Sequence, residues 1–461
     1  MLLVSGQLKI ALVVGCVVLL ASLFGILTRP IGSLAAFWPA NAILLGLMVR
    51  RPSLASPSGW IGAFGGYIVA DLATGGEFGV TLWLTFANLA GALLGFLLFQ
   101  LLPENDRRLH RPQSVLYLFA ICAAAAMAAA VTGGGAARII FGRNFFDGLE
   151  FWFVTELVNN LIILPAILTF PHVQANRLFK FDRRAKSPVP FWKIVPLGAL
   201  LASAAIGVAV GGPGAIAFPV PALLWCAVTY NLFTTSVLTM AFCSWLLIAI
   251  SAGIVGIHGT ADAFAEISSI RLGVALLALG PLAVASINAA RTELMQKLSH
   301  IANHDGLTGA LTRSAFMERG AQLLDERGAV PASILMVDID HFKRINDQFG
   351  HAVGDSVLIR VSHTIAETLR SEDLFGRLGG EEFAVLLCGC AAPQAKIAAE
   401  RIRLEVEALT SAEGDGTSVT VSLGIATTGP DRSSKLDSLL HKADQALYRA
   451  KEQGRNGVVV A

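Results

Sequence analysis

Apolar positions run in long unbroken stretches through the first 290 residues and then give way to short groups that alternate with charge. The stretches cover 8–27, 31–49, 59–73, 80–102, 114–131, 149–170, 194–210, 215–230, 232–255 and 270–290. Most approach the ~20 residues that carry a helix across a hydrocarbon layer, so eight to ten spans are expected. From residue 303 the period changes. Helical patterns at 313–327, 355–369, 392–409 and 436–451 alternate with strand-like runs at 333–339 and 418–425 and a hairpin across 375–387. The expectation is a polytopic α-helical membrane domain, 1–290, followed by a soluble α/β domain, 303–461, an α+β sandwich in which helices cover a mostly antiparallel sheet. Between them, at 287–304, Leu294, Leu298 and Ile301 recur at intervals of four and three among Arg291, Glu293 and Lys297. A connecting helix with one apolar stripe follows. It either packs on its own domain or pairs with a second copy as a parallel coiled coil.

Composition supports the division: 54% hydrophobic and 15% charged residues are too apolar for a soluble chain of 461 residues. A net charge of +2, with basic residues distributed by loop, gives no reason to expect nucleic acid. Arg50 and Arg51, then Arg107, Arg108 and Arg111, then the segment 177–186 make basic loops, whereas Asp71 and Glu77, and Asp262 and Glu266, mark acidic ones. Basic loops face the cytoplasm, which brings the C-terminal domain out on that side. The run ending at Cys16 superficially resembles a lipoprotein cleavage site, but the apolar stretch continues past it, so a first transmembrane helix is expected. No disulfide framework is expected of the six cysteines, and Cys388 and Cys390 are expected as buried reduced thiols, since no second ligand pair completes a zinc site. Glu156, Asn159 and Asn160 stand at helical spacing inside an apolar span, where they either bond between helices or line a ligand pocket. A transporter is the competing reading of this half, and it leaves the chemistry of the second half without a purpose.

That chemistry begins where the apolar strand 334–337 ends in Asp338-Ile339-Asp340, carboxylates at a strand end that suit a hard cation. About forty residues later Gly379-Gly380-Glu381-Glu382 joins two strand-like runs, so two adjacent acids are fixed on a hairpin tip. Together with Asp305-Gly306-Leu307-Thr308-Gly309, His341-Phe342-Lys343, Asn346-Asp347, Phe349-Gly350-His351, Gly354-Asp355 and Phe383, these residues resemble the GGDEF family of diguanylate cyclases in order and spacing. Thr312, where the family has asparagine, is a departure outside the chemistry. In the first half, Phe37-Trp38-Pro39-Ala40-Asn41 and Phe86-Ala87-Asn88-Leu89-Ala90-Gly91 resemble the MASE type of bacterial integral membrane sensor, a family with eight spans as its usual number.

The resemblance implies a nucleotidyl-cyclase-like fold that condenses two GTP into cyclic di-GMP and two pyrophosphates. Asp338, the carbonyl of Ile339 and Glu381 would hold magnesium, with manganese as an alternative. Phe342 and Lys343 would meet the triphosphate through backbone or side chain, Asn346 and Asp355 would read guanine with His351 in the same site, and Lys451 and Arg455 would meet phosphates. Glu381 or Glu382 would take the hydroxyl proton, with Glu381 favoured. One domain binds one GTP, so a homodimer is implied. Arg370, Asp373 and Arg401 match an inhibitory site for the product. The implied location is the bacterial inner membrane, with the catalytic domain in the cytoplasm. Two alternatives stand beside this reading: an inactive module that binds cyclic di-GMP, and a cyclase with a different product. Against the second stands Asp355, since a carboxylate accepts from both N1 and N2 of guanine.

Overall fold

The computed structural model describes residues 2–28, 37–135, 142, 144–171, 190–255, 263–327, 330–412, 419–428 and 435–461. The basic segment 177–186, Asp262 and the first part of the 31–49 stretch lie outside them. Two compact units divide the chain, Met1–Glu293 and Leu294–Ala461.

The first unit is built from helices, with no strand among its described residues. They are α1 (Leu2–Leu27), α2 (Ala40–Arg50), α3 (Pro57–Ala73), α4 (Phe78–Gln100), α5 (Glu104–Arg107), α6 (Ser114–Gly133), α7 (Phe145–Leu168), α8 (Val195–Val210), α9 (Val220–Thr229), α10 (Leu232–Ser251) and α11 (Ala263–Asn303), whose residues from Leu294 on belong to the second unit. Each apolar stretch of the sequence overlaps one of them. Among the described residues seven helices are long and apolar enough to cross a membrane, while α2 and α9 are shorter. The helix α7 is the most enclosed of these seven, with Leu157, Val158, Leu161, Ile162 and Leu164 all buried. By contrast Leu8, Leu20, Ile61, Leu116 and Leu201 are exposed on outward faces, an arrangement that water penalises and hydrocarbon does not. The last helix runs without a break from the apolar stretch into the stripe of Leu294, Leu298 and Ile301, so the separate connecting helix expected at 287–304 is the end of α11. Those three side chains are 56%, 51% and 72% exposed.

The second unit is built on a six-stranded sheet of order β1-β3-β4-β2-β5-β6, from β1 (Leu311–Thr312), β2 (Ala332–Ile339), β3 (Leu374–Gly379), β4 (Glu382–Cys388), β5 (Val421–Thr427) and β6 (Val458–Val460). The pairs β1 with β3 and β5 with β6 are parallel and the rest antiparallel. Every residue of β2 is buried, because both faces are covered. Leu335, Val337 and Ile339 pack with α14 (His351–Thr368) and α15 (Ala392–Ala412), while Ile334 and Met336 pack with α12 (Arg313–Arg327) and α16 (Leu436–Glu452). Alternation therefore assigns Asp338, the next even position, to the α16 face. The sequence pattern missed β1, β6 and the helix α13 (Phe342–Phe349), whose buried positions are only Phe342 and Ile345 and which ends at Gly350 in a left-handed conformation (φ 87°). None of the six cysteines forms a disulfide; Cys388 is buried but Cys390 is partly exposed just beyond the end of β4, which corrects the expectation for that thiol.

Candidate active site

Strand β2 delivers Asp338 to the edge of the core, 5% exposed. Its register partner on β4 is Glu382, and the amide of Ile339 donates to the carbonyl of Glu381 at 3.4 Å. The turn between β3 and β4 places Gly379 at φ 157° and Gly380 at φ 51°, conformations that side chains disfavour. Two acids thus arrive beside the strand-end aspartate. On the α16 face Lys451 Nζ lies 2.8 Å from Asp338 Oδ2. Burial pushes the Asp338 carboxyl above the ordinary carboxylate range; the Lys451 ammonium opposes that rise, and the charges of Glu381 and Glu382 add to it.

The neighbouring Asp340 has a different task. Its carboxylate accepts from Thr420 Oγ1 at 2.8 Å, Ser422 Oγ at 2.7 Å and the amide of Asn456 at 3.0 Å, so it ties β5 and the chain after α16 to the end of β2. The hairpin tip is tied as well. Arg377 donates through Nε and Nη2 to the carbonyl of Gly380, at 2.9 and 2.7 Å, and through Nη1 to Asp305 Oδ1 at 3.0 Å. The same oxygen accepts from the amide and hydroxyl of Thr308. At Asp305 burial alone would raise the pKa, but the Thr308 and Arg377 hydrogen bonds outweigh it and hold the carboxyl below its ordinary range. The strand-end pattern offered Asp340 beside Asp338 as a carboxylate for a hard cation, but both its oxygens are engaged by Thr420, Ser422 and Asn456, which corrects that expectation; Arg377, in the strand that leads to the hairpin, had no role from sequence.

Around the break between α13 and α14 stand Asn346, His351 and Asp355, the last two exposed. A Cβ at Gly354 would fall 1.9 Å from Asn346 Oδ1, so the glycine makes room for that amide. Lys343 is exposed on the first turn of α13, whereas the Phe342 ring is only 8% exposed and sits in the core. This narrows the expectation for Phe342: its side chain is committed to packing, and its main chain alone is available to a ligand. Arg455 is exposed on the loop after α16.

Arg370 and Asp373 close a turn after α14. The amide of Arg370 donates to Asp373 Oδ2 at 3.1 Å, and Asp373 Oδ1 accepts from the amide of Cys388 at 3.1 Å. Arg401, on α15, reaches the end of the same helix, donating to the carbonyl of Thr368 at 2.5 Å.

Residues 302–457 match the family profile described as "Diguanylate cyclase, GGDEF domain". Over 441 residues the chain is 30% identical to the probable diguanylate cyclase DgcF of Escherichia coli O157:H7, spanning 93% of this chain and 89% of that one. The chain belongs to the GGDEF family of diguanylate cyclases. The probable diguanylate cyclase DgcF of Escherichia coli strain K12 is 32% identical over 313 residues, 66% of this chain and 95% of its own. Among solved structures, the coiled coil and GGDEF domain of DgcB from Caulobacter crescentus in complex with c-di-GMP is 33% identical, covering 37% of this chain and 92% of that one, with a TM-score of 0.35. The GGDEF match falls within the second unit, whereas a likeness over 93% of the chain takes in the first unit as well.

The first unit holds a polar cluster of its own. Asn41 on α2 donates through Nδ2 to Glu156 Oε1 at 2.7 Å and to Asn88 Oδ1 at 3.0 Å, and accepts from the Tyr67 hydroxyl at 2.5 Å. Glu156 is 4% exposed. One residue earlier, Thr155 is hydrogen-bonded by Arg271 of α11, whose guanidinium lies 4.7 Å from the Phe151 ring centroid. A chain of contacts therefore leads from α3 through α2 and α7 to α11.

Proposed function

We propose that the second unit binds one GTP per copy and that two copies, face to face, make cyclic di-GMP. In each half-reaction the 3'-hydroxyl oxygen of one GTP bonds to the α-phosphorus of the other, the bridging bond to the β-phosphate breaks, and pyrophosphate leaves. The observation that carries this reading is the meeting of Asp338, Glu381 and Glu382 with Lys451 at the end of one buried strand. Carboxylates and a main-chain carbonyl, with no soft donor, suit a hard divalent cation. Asp338, the carbonyl of Ile339 and Glu381 would hold magnesium or manganese, which when bound neutralises charge on the triphosphate oxygens. Lys451, Lys343 and Arg455 add positive charge along the phosphates, and the main chain at Phe342 opens a helix N-terminus to them. Asn346 and Asp355 bond the guanine edge, with His351 beside them. Glu381 takes the hydroxyl proton, and Arg377 keeps its hairpin in place through Gly380.

The same reading makes the first unit a MASE-type sensor in the bacterial inner membrane. Ser286 of α11 donates to the carbonyls of Leu109 and Arg111 at 2.7 and 2.8 Å. The basic loop after α4 therefore meets α11 close to the point where that helix leaves the unit, so a cytoplasmic basic loop entails a cytoplasmic exit. The exposed stripe of Leu294, Leu298 and Ile301 supplies the seam for a parallel pair of helices that sets the distance between two catalytic units. Arg370, Asp373 and Arg401 form the inhibitory product site.

The test is product analysis. The full chain, purified in nanodiscs and given GTP with magnesium, is expected to yield cyclic di-GMP by mass. The Glu381→Gln variant is expected to work about a hundredfold more slowly or worse, in line with the roughly 10²–10⁴-fold that a positioned acid–base group contributes. A cyclic mononucleotide product, or unchanged turnover in Glu381→Gln at saturating magnesium, overturns the assignment.

A further inference from the structure

The chain leaves α16 through an unusual turn. Gly454 has φ 115°, and the next two residues, Arg455 and Asn456, are both left-handed at φ 65° and 42°. Consecutive non-glycine residues in that region cost energy that the surroundings must offset. Much of the offset comes through Asn456, whose amide and side chain are all engaged. Its amide donates to Asp340 Oδ2 at 3.0 Å, its side-chain Nδ2 donates to Glu407 Oε1 at 2.9 Å, and its Oδ1 accepts from Arg403 Nη1 at 3.0 Å. Arg403 is fixed in turn by Glu400 and Glu407, each at 2.8 Å. On the far side of the turn, the carbonyl of Gly457 accepts from the amide of Leu423 on β5 at 2.8 Å.

We infer that Asn456 is a positioning residue for catalysis: clamped between α15 and Asp340, it fixes the left-handed backbone of Arg455 and so the origin of that guanidinium at the triphosphate. The inference rests on the reading of Arg455 as a phosphate contact. The residue type follows from the clamp. An amide offers Glu407 a donor and Arg403 an acceptor on one short side chain, and asparagine tolerates the left-handed region better than most. Aspartate would face Glu407 with a second negative charge, and glutamine would move the amide by one methylene. Since Asp340 is two residues from Asp338, the clamp also ties the loop to the strand end that presents the metal-ligand candidates. Arg403 and Glu407, about fifty residues before the loop, thereby enter the catalytic geometry.

The experiment is a double-mutant cycle on the full chain in nanodiscs, reading kcat and KM for GTP separately. Arg455→Ala is expected to lower kcat/KM. Asn456→Ala is expected to lower it by roughly tenfold, which corresponds to about 1.4 kcal/mol, and the double variant to fall no further than Arg455→Ala alone. Should Asn456→Ala prevent folding, Asn456→Gly accepts the backbone conformation freely, lacks the side-chain clamp, and replaces it in the cycle. If Arg455→Ala is fully active, the phosphate reading of Arg455 fails and the inference with it. If Arg455→Ala is impaired but the losses multiply in the double variant, or if both Asn456 variants keep wild-type kinetics, the positioning inference fails and the phosphate reading stands.

Discussion

Gly354→Ala is the smallest change that tests the proposed guanine site, because its effects on stability and on substrate have opposite signs. The added Cβ falls 1.9 Å from Asn346 Oδ1 and 2.9 Å from its Cγ, whereas ordinary contact begins near 3.4 Å, so the amide must swing away. That oxygen is the far end of a side chain, and the other close neighbour, the Phe342 Cζ at 3.3 Å, has to give by only about 0.1 Å. Inside α14 alanine is favoured over glycine by about 1 kcal/mol, which offsets the small adjustment at the Phe342 ring. The loss falls on recognition. If Asn346 makes two hydrogen bonds to guanine, each worth about 0.5–1.5 kcal/mol net, displacement costs about 1–3 kcal/mol, or roughly 5- to 150-fold in kcat/KM.

The assay is the initial rate against GTP for the full chain, beside Asn346→Ala and the double variant. KM is expected to rise in Gly354→Ala without loss of thermal stability. The double variant is expected to match Asn346→Ala, since a displaced amide and a missing one are equivalent. A wild-type KM in Gly354→Ala would refute the reasoning. So would a further loss when the alanine is placed on Asn346→Ala, because the glycine would then serve something other than that amide.

Arg370→Ala is expected to keep the initial rate and to prolong the linear phase of the progress curve, since the main-chain amide of residue 370 still bonds Asp373 while the guanidinium proposed to meet the product's phosphate is gone; inhibition of both proteins at one cyclic di-GMP concentration refutes it. A cysteine at position 107 is expected to resist membrane-impermeant thiol reagents in intact cells, and labelling from outside contradicts the topology. Arg271→Ala should destabilise the first unit by about 1–2 kcal/mol through loss of the Phe151 and Thr155 contacts. All seven tryptophans lie between Trp38 and Trp245, so tryptophan fluorescence during unfolding isolates that unit; an unchanged transition rules the contribution out. Because the Asp305 carboxyl is held below its ordinary range, its contribution to stability is present above that range and is lost as pH falls through the lowered value. Amide exchange in the 305–311 segment should therefore be faster in Asp305→Asn than in wild type at neutral pH, with the gap closing only in acid below about pH 4; a gap that closes already near neutrality would assign the effect to another group.

Local patterns made the helices legible and left their meetings dark. The apolar stretches disclosed the helices of the first unit because burial among neighbours and exposure to hydrocarbon both select apolar residues, so period and length are enough. The same uniformity hid the inside from the outside. Asn41, Asn88 and Glu156 each look like an isolated polar residue in an apolar helix, and only packing across 47 and 115 residues of chain makes them one hydrogen-bonded cluster. Helix α13 was missed for the reverse reason: with only Phe342 and Ile345 buried, eight residues are too few to establish a period.

The candidate active site divides in the same way. That Asp338 and the hairpin acids belong together was visible from motif and order, but β2 is apolar on both faces, so its sequence carries no alternation to say which face Asp338 takes. What covers each face settles it. Ile334 and Met336 share their side of the sheet with Leu439, Ala443 and Leu447, and the helix that supplies those residues carries Lys451 in its last turn. The packing that buries one stripe of α16 is therefore the same event that brings an ammonium within 2.8 Å of the strand-end carboxylate. The turn that follows is then held by Asp340, the continuation of the same strand. Charge at the site and hydrophobic contact under the helix are in this sense one arrangement, and a cavity beneath α16 would be felt at Asp338 through the seating of Lys451.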